Sequence, residues 1–217
     1  MEWFIKTSVK YPSTSNVLIL RHRSVLPTSI SYESVARVHL ILPKIIRTLN
    51  MEITSVKSFL DYYERIRERT NRLIKVIPGE HFDFAYMPGK FTIADQIRHI
   101  AAIERYMFAE NVAGRKSSYP GCGKDLADGY ENVLNFFTDR HRESVEIIGN
   151  LTDEDLNKKC NTPGNTEITT WKWLRAMVEH EIHHRAELYL YANLLKIKTP
   201  PMFGLTSEEV REKSIRI

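Results

Sequence analysis

At 217 residues the chain is long enough for one domain with a sizeable core, or for one domain plus an appendage. Its formal charge is +4, but residues 1–50 carry seven basic residues against two acids, and the remainder 24 against 25, so the pI near 9.0 belongs to the first fifty residues. No basic patch interleaved with aromatics follows residue 50, which excludes nucleic acid as the expected partner, and no apolar run approaches the length of a membrane span.

Residues 1–50 differ in kind from the rest. They show no helical period, have scattered Ser and Thr, and contain only short apolar runs such as Val17–Leu20 and Val38–Leu42. No charged start, long apolar centre and cleavage site mark a secretory signal, although the acid-poor composition would suit an organelle transit segment. The helical pattern begins directly after Met51, so the expected division is an N-terminal extension, 1–50, and a domain, 51–217, with Met51 the natural start. Cys122 and Cys160 have no motif spacing and read as reduced thiols of a cytoplasmic protein.

From Ile53 to Ile77 the apolar residues Phe59, Tyr62/Tyr63, Ile66, Leu73 and Ile77 recur with a helical period, with Thr54 as cap and Pro78-Gly79 as stop. The aromatics of the following loop, 78–91, predict that it packs over the core. Thr92 and Asp95 then open a second helix in a capping-box arrangement, which runs past His99 to about Ala113 and stops at Gly114. A third helix is expected from about Lys124 to Gly149, with His141 on its apolar stripe as a satisfied core residue. A fourth is expected over about Ile168–Ile197, and Thr206 with Glu208-Glu209 predicts a short capped helix in the tail. No alternating strand pattern appears in 51–217. The composition of elements is therefore all-α, a four-helix bundle whose longer connections leave room for a crossover.

The fourth helix carries His180, His183 and His184. At about 100° per residue, His180 and His184 stack one turn apart, in the same stripe as Trp173, Met177, Leu188 and Tyr191. Burying two unpaired imidazoles is costly, whereas two histidines at i and i+4 chelate a divalent metal well. Bundles build metal sites from inward residues on facing helices, and His99 would supply a third nitrogen. Three protein ligands leave one position open, the arrangement of a catalytic centre. Imidazole ligands suit zinc or nickel.

Asp95-x-x-x-His99, Trp171-x-x-Leu174, Glu-His-Glu-Ile-His-His-Arg over 179–185 and Pro-Pro-x-x-Gly-Leu-Thr over 200–206 occur in that order. In these elements, across nearly all of 51–217, the chain resembles the DinB-like family. The resemblance implies an antiparallel four-helix bundle with one long crossover, often a homodimer. It also implies a divalent metal held by His99, His180 and His184. Family members with known activity imply a metal-dependent transferase that joins a low-molecular-weight thiol, such as bacillithiol or mycothiol, to a small electrophile. Where the family usually follows His-Arg with Gly-Gln, this chain has Ala186 and Glu187. Glu187 lies close enough in helical angle to approach the metal or brace a ligand ring. Asp95 is placed either to orient His99 or simply to cap its helix, and Arg185 is expected to form an interhelical salt bridge.

Two rival readings stand beside this one. His180-Glu181-Ile182-His183-His184 satisfies His-Glu-x-x-His, in which Glu181 would be the general base of a metal-dependent hydrolase or peptidase. No strand is expected upstream to build such a cleft, and Glu208 and Glu209 fit a helix start better than a third ligand. The other rival is a metal-stabilised bundle that binds a partner without catalysis.

Overall fold

The structure, a computed structural model, describes residues 52–215. The expected N-terminal extension, 1–50, lies outside the described residues, and with it the assignment of Met51 as the start.

Helix α1 (Val56–Ile74) begins one residue later than the Thr54 cap predicts. Ser55 is the cap; its hydroxyl accepts the Ser58 N–H, and Asp153 accepts the N–H of Val56 at 2.8 Å. Helix α2 (Ile93–Ile103) opens with the expected box: Asp95 N–H donates to Thr92 Oγ1 at 3.0 Å, and Thr92 N–H to Asp95 at 2.9 Å. It continues through a π-helical segment, Glu104–Ala109, and a last turn, Glu110–Val112. Gly114, at φ +74°, then turns the chain out, a conformation that a Cβ would strain.

Helix α3 (Tyr130–Gly149) starts six residues after the sequence expectation. Buried Arg98 of α2 takes the carbonyls of Cys122 and Ala127 at 2.7 and 2.9 Å, and Gly129 sits at φ +83°, so 124–129 is drawn into turns instead of helix. A second correction follows α3. Strands β1 (Lys159–Asn161) and β2 (Glu167–Thr169) form an antiparallel hairpin with Lys159 opposite Thr169, where no strand was expected. Three residues are too few to show an alternation, and the turn is set by Asn165 at φ +59°. Helix α4 (Thr170–Leu194) follows directly, and α5 (Ser207–Ile215) is capped by Thr206 and Glu209 in a reciprocal box, with no buried residue.

Two apolar layers fix the direction of each helix. One contains Leu73 and Ile74 of α1, Ile93 and Ile97 of α2, Val133 and Phe137 of α3, and Leu188 and Tyr191 of α4. The other contains Phe59 and Tyr63, Phe108 and Val112, Ile148, and Leu174 and Met177. Helices α1 and α4 therefore run one way, α2 and α3 the other. Helices α1 and α2 each pack against both α3 and α4, so α1/α2 and α3/α4 are the diagonals. Parallel neighbours α2 and α3 require the connection 113–129 to travel the length of the bundle, which makes it the long crossover. The loop 78–91 closes one end, with Phe82 on Tyr130 and both Phe84 and Tyr86 in T-shaped contact with Tyr191. A fully buried leucine such as Leu73 contributes about 2 kcal/mol through the area it removes from water.

Between the apolar layers lies a charged one. Arg67 is 2 % exposed and pairs with Glu104 and, at 3.2 Å, with Glu181. The two carboxylates hold its guanidinium charged against the opposing cost of burial. His141 bridges Glu104 at 2.8 Å and Glu64 at 3.0 Å, the satisfied role expected of it.

Candidate metal centre

Helices α2 and α4 are antiparallel neighbours, and the midpoints of both carry imidazoles. His99 follows the first turns of α2, while His180 and His184 share the stripe of α4 that buries Met177 and Leu188. The ring centres of His99 and His184 are 4.6 Å apart, those of His180 and His184 4.5 Å, and those of His99 and His180 5.0 Å. Nε2 of His99 lies 3.1 Å from Nε2 of His180, and one nitrogen of each ring falls within a cluster no more than 4.8 Å across. Two nitrogens bound at 2.0–2.1 Å to one tetrahedral ion stand about 3.3 Å apart. The donor set and its spacing thus fit a divalent ion.

The far side of each ring decides which nitrogen faces inward. Nδ1 of His184 lies 2.6 Å from Gln96 Oε1 and 2.8 Å from Glu187 Oε2, and Gln96 Nε2 donates to the same Glu187 oxygen at 2.7 Å. Nδ1 of His99 meets the Tyr119 hydroxyl at 2.8 Å. Both rings are thereby left with Nε2 for a ligand, the arrangement in which an outer partner sets ring orientation and basicity.

Burial is the main cause that pushes the imidazole of His99 down to about 3 and that of His180 to about 2, with neighbouring imidazoles adding to it. Burial also lowers His184, outweighing the opposing Glu187. All three rings are neutral at pH 7, with free lone pairs, as metal ligation requires.

The other residues singled out in the sequence fall as follows. Asp95 is engaged by Thr92 and by Arg98, so capping is its role, and the atom facing His99 Nδ1 belongs to Tyr119 instead. Glu187 faces His184, as helical angle suggested. Among the described residues Arg185 makes no salt bridge; its Nη1 donates to the Ile66 carbonyl at 3.0 Å. Glu181 is turned away from the imidazoles toward α1, where it accepts the Thr70 hydroxyl at 2.6 Å. His183 is exposed, with Nε2 3.5 Å from Glu187. Two partners of the site went unread in the sequence. Gln96 had a signal, since an amide among Ile93, Ile97 and Ile100 is a buried polar group needing partners. Tyr119 had none, because it arrives from a loop twenty residues downstream.

The fold and site together define a class of helical bundle: parallel and antiparallel pairs with three inward imidazoles at the centre. The family model of the DinB superfamily matches residues 62–188. The chain belongs to that superfamily. It is 27 % identical over 128 residues to the uncharacterized protein YjoA of Bacillus subtilis (strain 168), a match covering 58 % of this chain and 80 % of that protein. Among solved structures it is similar to a DinB-like protein from Bacillus cereus ATCC 10987, with a TM-score of 0.56, 16 % identity, and coverage of 68 % of this chain and 97 % of that one. YfiT from Bacillus subtilis, described as a probable metal-dependent hydrolase with an unusual four-helix bundle topology, superposes with a TM-score of 0.53 at 14 % identity, covering 81 % of this chain and 95 % of YfiT.

Proposed function

We propose that His99, His180 and His184 hold a divalent ion, zinc or nickel by their ligand type, and that the protein uses it to transfer a low-molecular-weight thiol to a small electrophile. An ion there would supply positive charge with an open position, lowering the pKa of a thiol or water beside it.

The observation that carries this reading is that the site is poor in bases. Among the described residues, the hydrogen-bond partners of the three imidazoles are Tyr119, Gln96, Glu187 and one another. None is a serine or cysteine, and in this reading the nucleophile comes from outside. Glu181, the base in a His-Glu-x-x-His peptidase, is bound to Thr70 and Arg67 and faces the wrong way. Water must shed a proton from a pKa of about 15.7, a thiol only from about 8.5. A centre with no free base suits the thiol. In the transfer the thiol proton leaves to solvent, the sulfur bonds to the electrophilic atom, and the leaving group departs with its electron pair. The chain's own part is to hold the imidazoles neutral and fixed. Homodimeric assembly in the cytoplasm belongs to the same proposal; among the described residues no helix is long and apolar enough to cross a membrane.

Hydrolysis, with water as the nucleophile, is the second reading and draws on the likeness to YfiT. The test is an assay of the metal-loaded protein with several small thiols and a model electrophile, beside ester and peptide substrates without thiol. Thiol-dependent turnover that disappears in His184→Ala supports the transferase. Turnover independent of thiol replaces it with the hydrolase, and stoichiometric metal with neither activity leaves a binding module.

A further inference from the structure

His99 and His184 are held by different means. The ring of His184 is braced within the bundle, by Gln96 from α2 and Glu187 from its own helix. His99 has no such partner on α2 or α4, and the group that meets its Nδ1 comes from the crossover.

We propose that Tyr119 is the positioning residue of His99, its hydroxyl oxygen accepting the Nδ1–H and so presenting Nε2 to the ion. The inference rests on the metal site proposed above. When Nε2 gives its lone pair to an ion, the ring proton must sit on Nδ1, and a half-buried N–H needs an acceptor. Among the described residues Tyr119 Oη, at 2.8 Å, is the oxygen within reach.

The crossover is built to hold that oxygen in place. Immediately before Tyr119, the Ser118 N–H donates to the Tyr106 carbonyl at 2.8 Å, and the Ser117 hydroxyl reaches the same carbonyl at 3.2 Å. Tyr106 lies in the π-helical segment of α2, a departure from α-helix that recurs at functional sites. Just after Tyr119, Arg98 grips the Cys122 and Ala127 carbonyls. Arg98 is 1 % exposed and adjacent in sequence to His99, so the loop and the imidazole are fixed to the same turn of α2. Phe91 packs on His99 with its ring centre 5.3 Å away, and the Tyr119 ring packs against it in a T-shape at 5.8 Å. Tyr119→Phe therefore removes one oxygen and keeps the packing.

The experiment is titration of the metal-free full-length protein with cobalt(II), read by its visible d–d absorption, for wild type, Tyr119→Phe, His99→Ala and the double variant. Loss of an outer partner of a ligating histidine weakens metal binding about 10–100-fold. Tyr119→Phe should fall in that range, with the circular dichroism of the metal-free protein unchanged, and should add no further loss in the His99→Ala background. Binding by Tyr119→Phe within about two-fold of wild type, well short of that range, overturns the inference and leaves the metal site standing. A loss that persists undiminished without His99 also overturns it, marking Tyr119 as part of the loop's packing alone. A wild-type protein that takes up no cobalt overturns the metal site itself, and this inference with it.

Discussion

Thr70 of α1 donates its hydroxyl to Glu181 of α4 at 2.6 Å, drawing the acid that sits between two inward histidines out of their reach. Along α4 the stripe of His180 and His184 faces α2, while the stripe of Glu181 and Arg185 faces α1. One helix thus serves two polar clusters on adjacent faces, and the ion cluster it shares with Arg67 and Glu104 is structural.

Glu181→Ala should therefore destabilise the fold without weakening metal binding. Removing one member of a buried pair costs about 3–5 kcal/mol; Arg67 keeps Glu104, so the lower end, about 3 kcal/mol, is expected. Urea unfolding of the variant measures the loss, and a cobalt titration checks that affinity is retained. Lost activity in a protein that still folds and binds metal would restore Glu181 to the chemistry.

Glu187→Gln restores the amide that the family resemblance implies at this position. It also takes away the negative charge 2.8 Å from His184 Nδ1, which raises the basicity of that ring. Metal affinity should fall by about ten-fold, the lower end for an outer partner, and competition with a chromophoric chelator reads the difference.

The metal-free protein should be acid-sensitive. His99 and His180 have folded pKa values near 3 and 2, below the unfolded value near 6.5, so below pH 6.5 the unfolded chain binds more protons than the folded one. Stability is complete above that pH and falls as pH drops toward the folded values, with a slope of up to about 1.4 kcal/mol per pH unit for each group. Thermal unfolding between pH 7 and 4 checks this, and His180→Ala should flatten the slope.

His141 works in the opposite direction. Burial pushes its imidazole down, but Glu104 at 2.8 Å and Glu64 at 3.0 Å together outweigh burial and raise it above 6.5. The folded state then binds the extra proton, so the contribution is complete below pH 6.5 and is lost as pH rises through the folded pKa. Wild type should lose stability in that alkaline interval, whereas His141→Gln should not; urea midpoints across pH 6–9 decide.

The sequence by itself determined the four helices, their main apolar faces, the capping box at Thr92 and Asp95, and the pairing of His180 with His184. All of these are local: caps act within one turn, and i, i+4 side chains stack because of the helix's own geometry. It also placed Glu187 beside His184, for the same reason. Only the tertiary structure decided that α2 and α3 run parallel, that 124–129 is pulled out of helix by Arg98, that Glu181 answers to Thr70 and Arg67, and that His99 meets Tyr119 and not Asp95. In each case the partner comes from another element, and the choice among polar groups within reach is made by what the packing brings opposite them. A helical wheel shows which way a side chain leaves its own helix; what waits for it there is set by the fold.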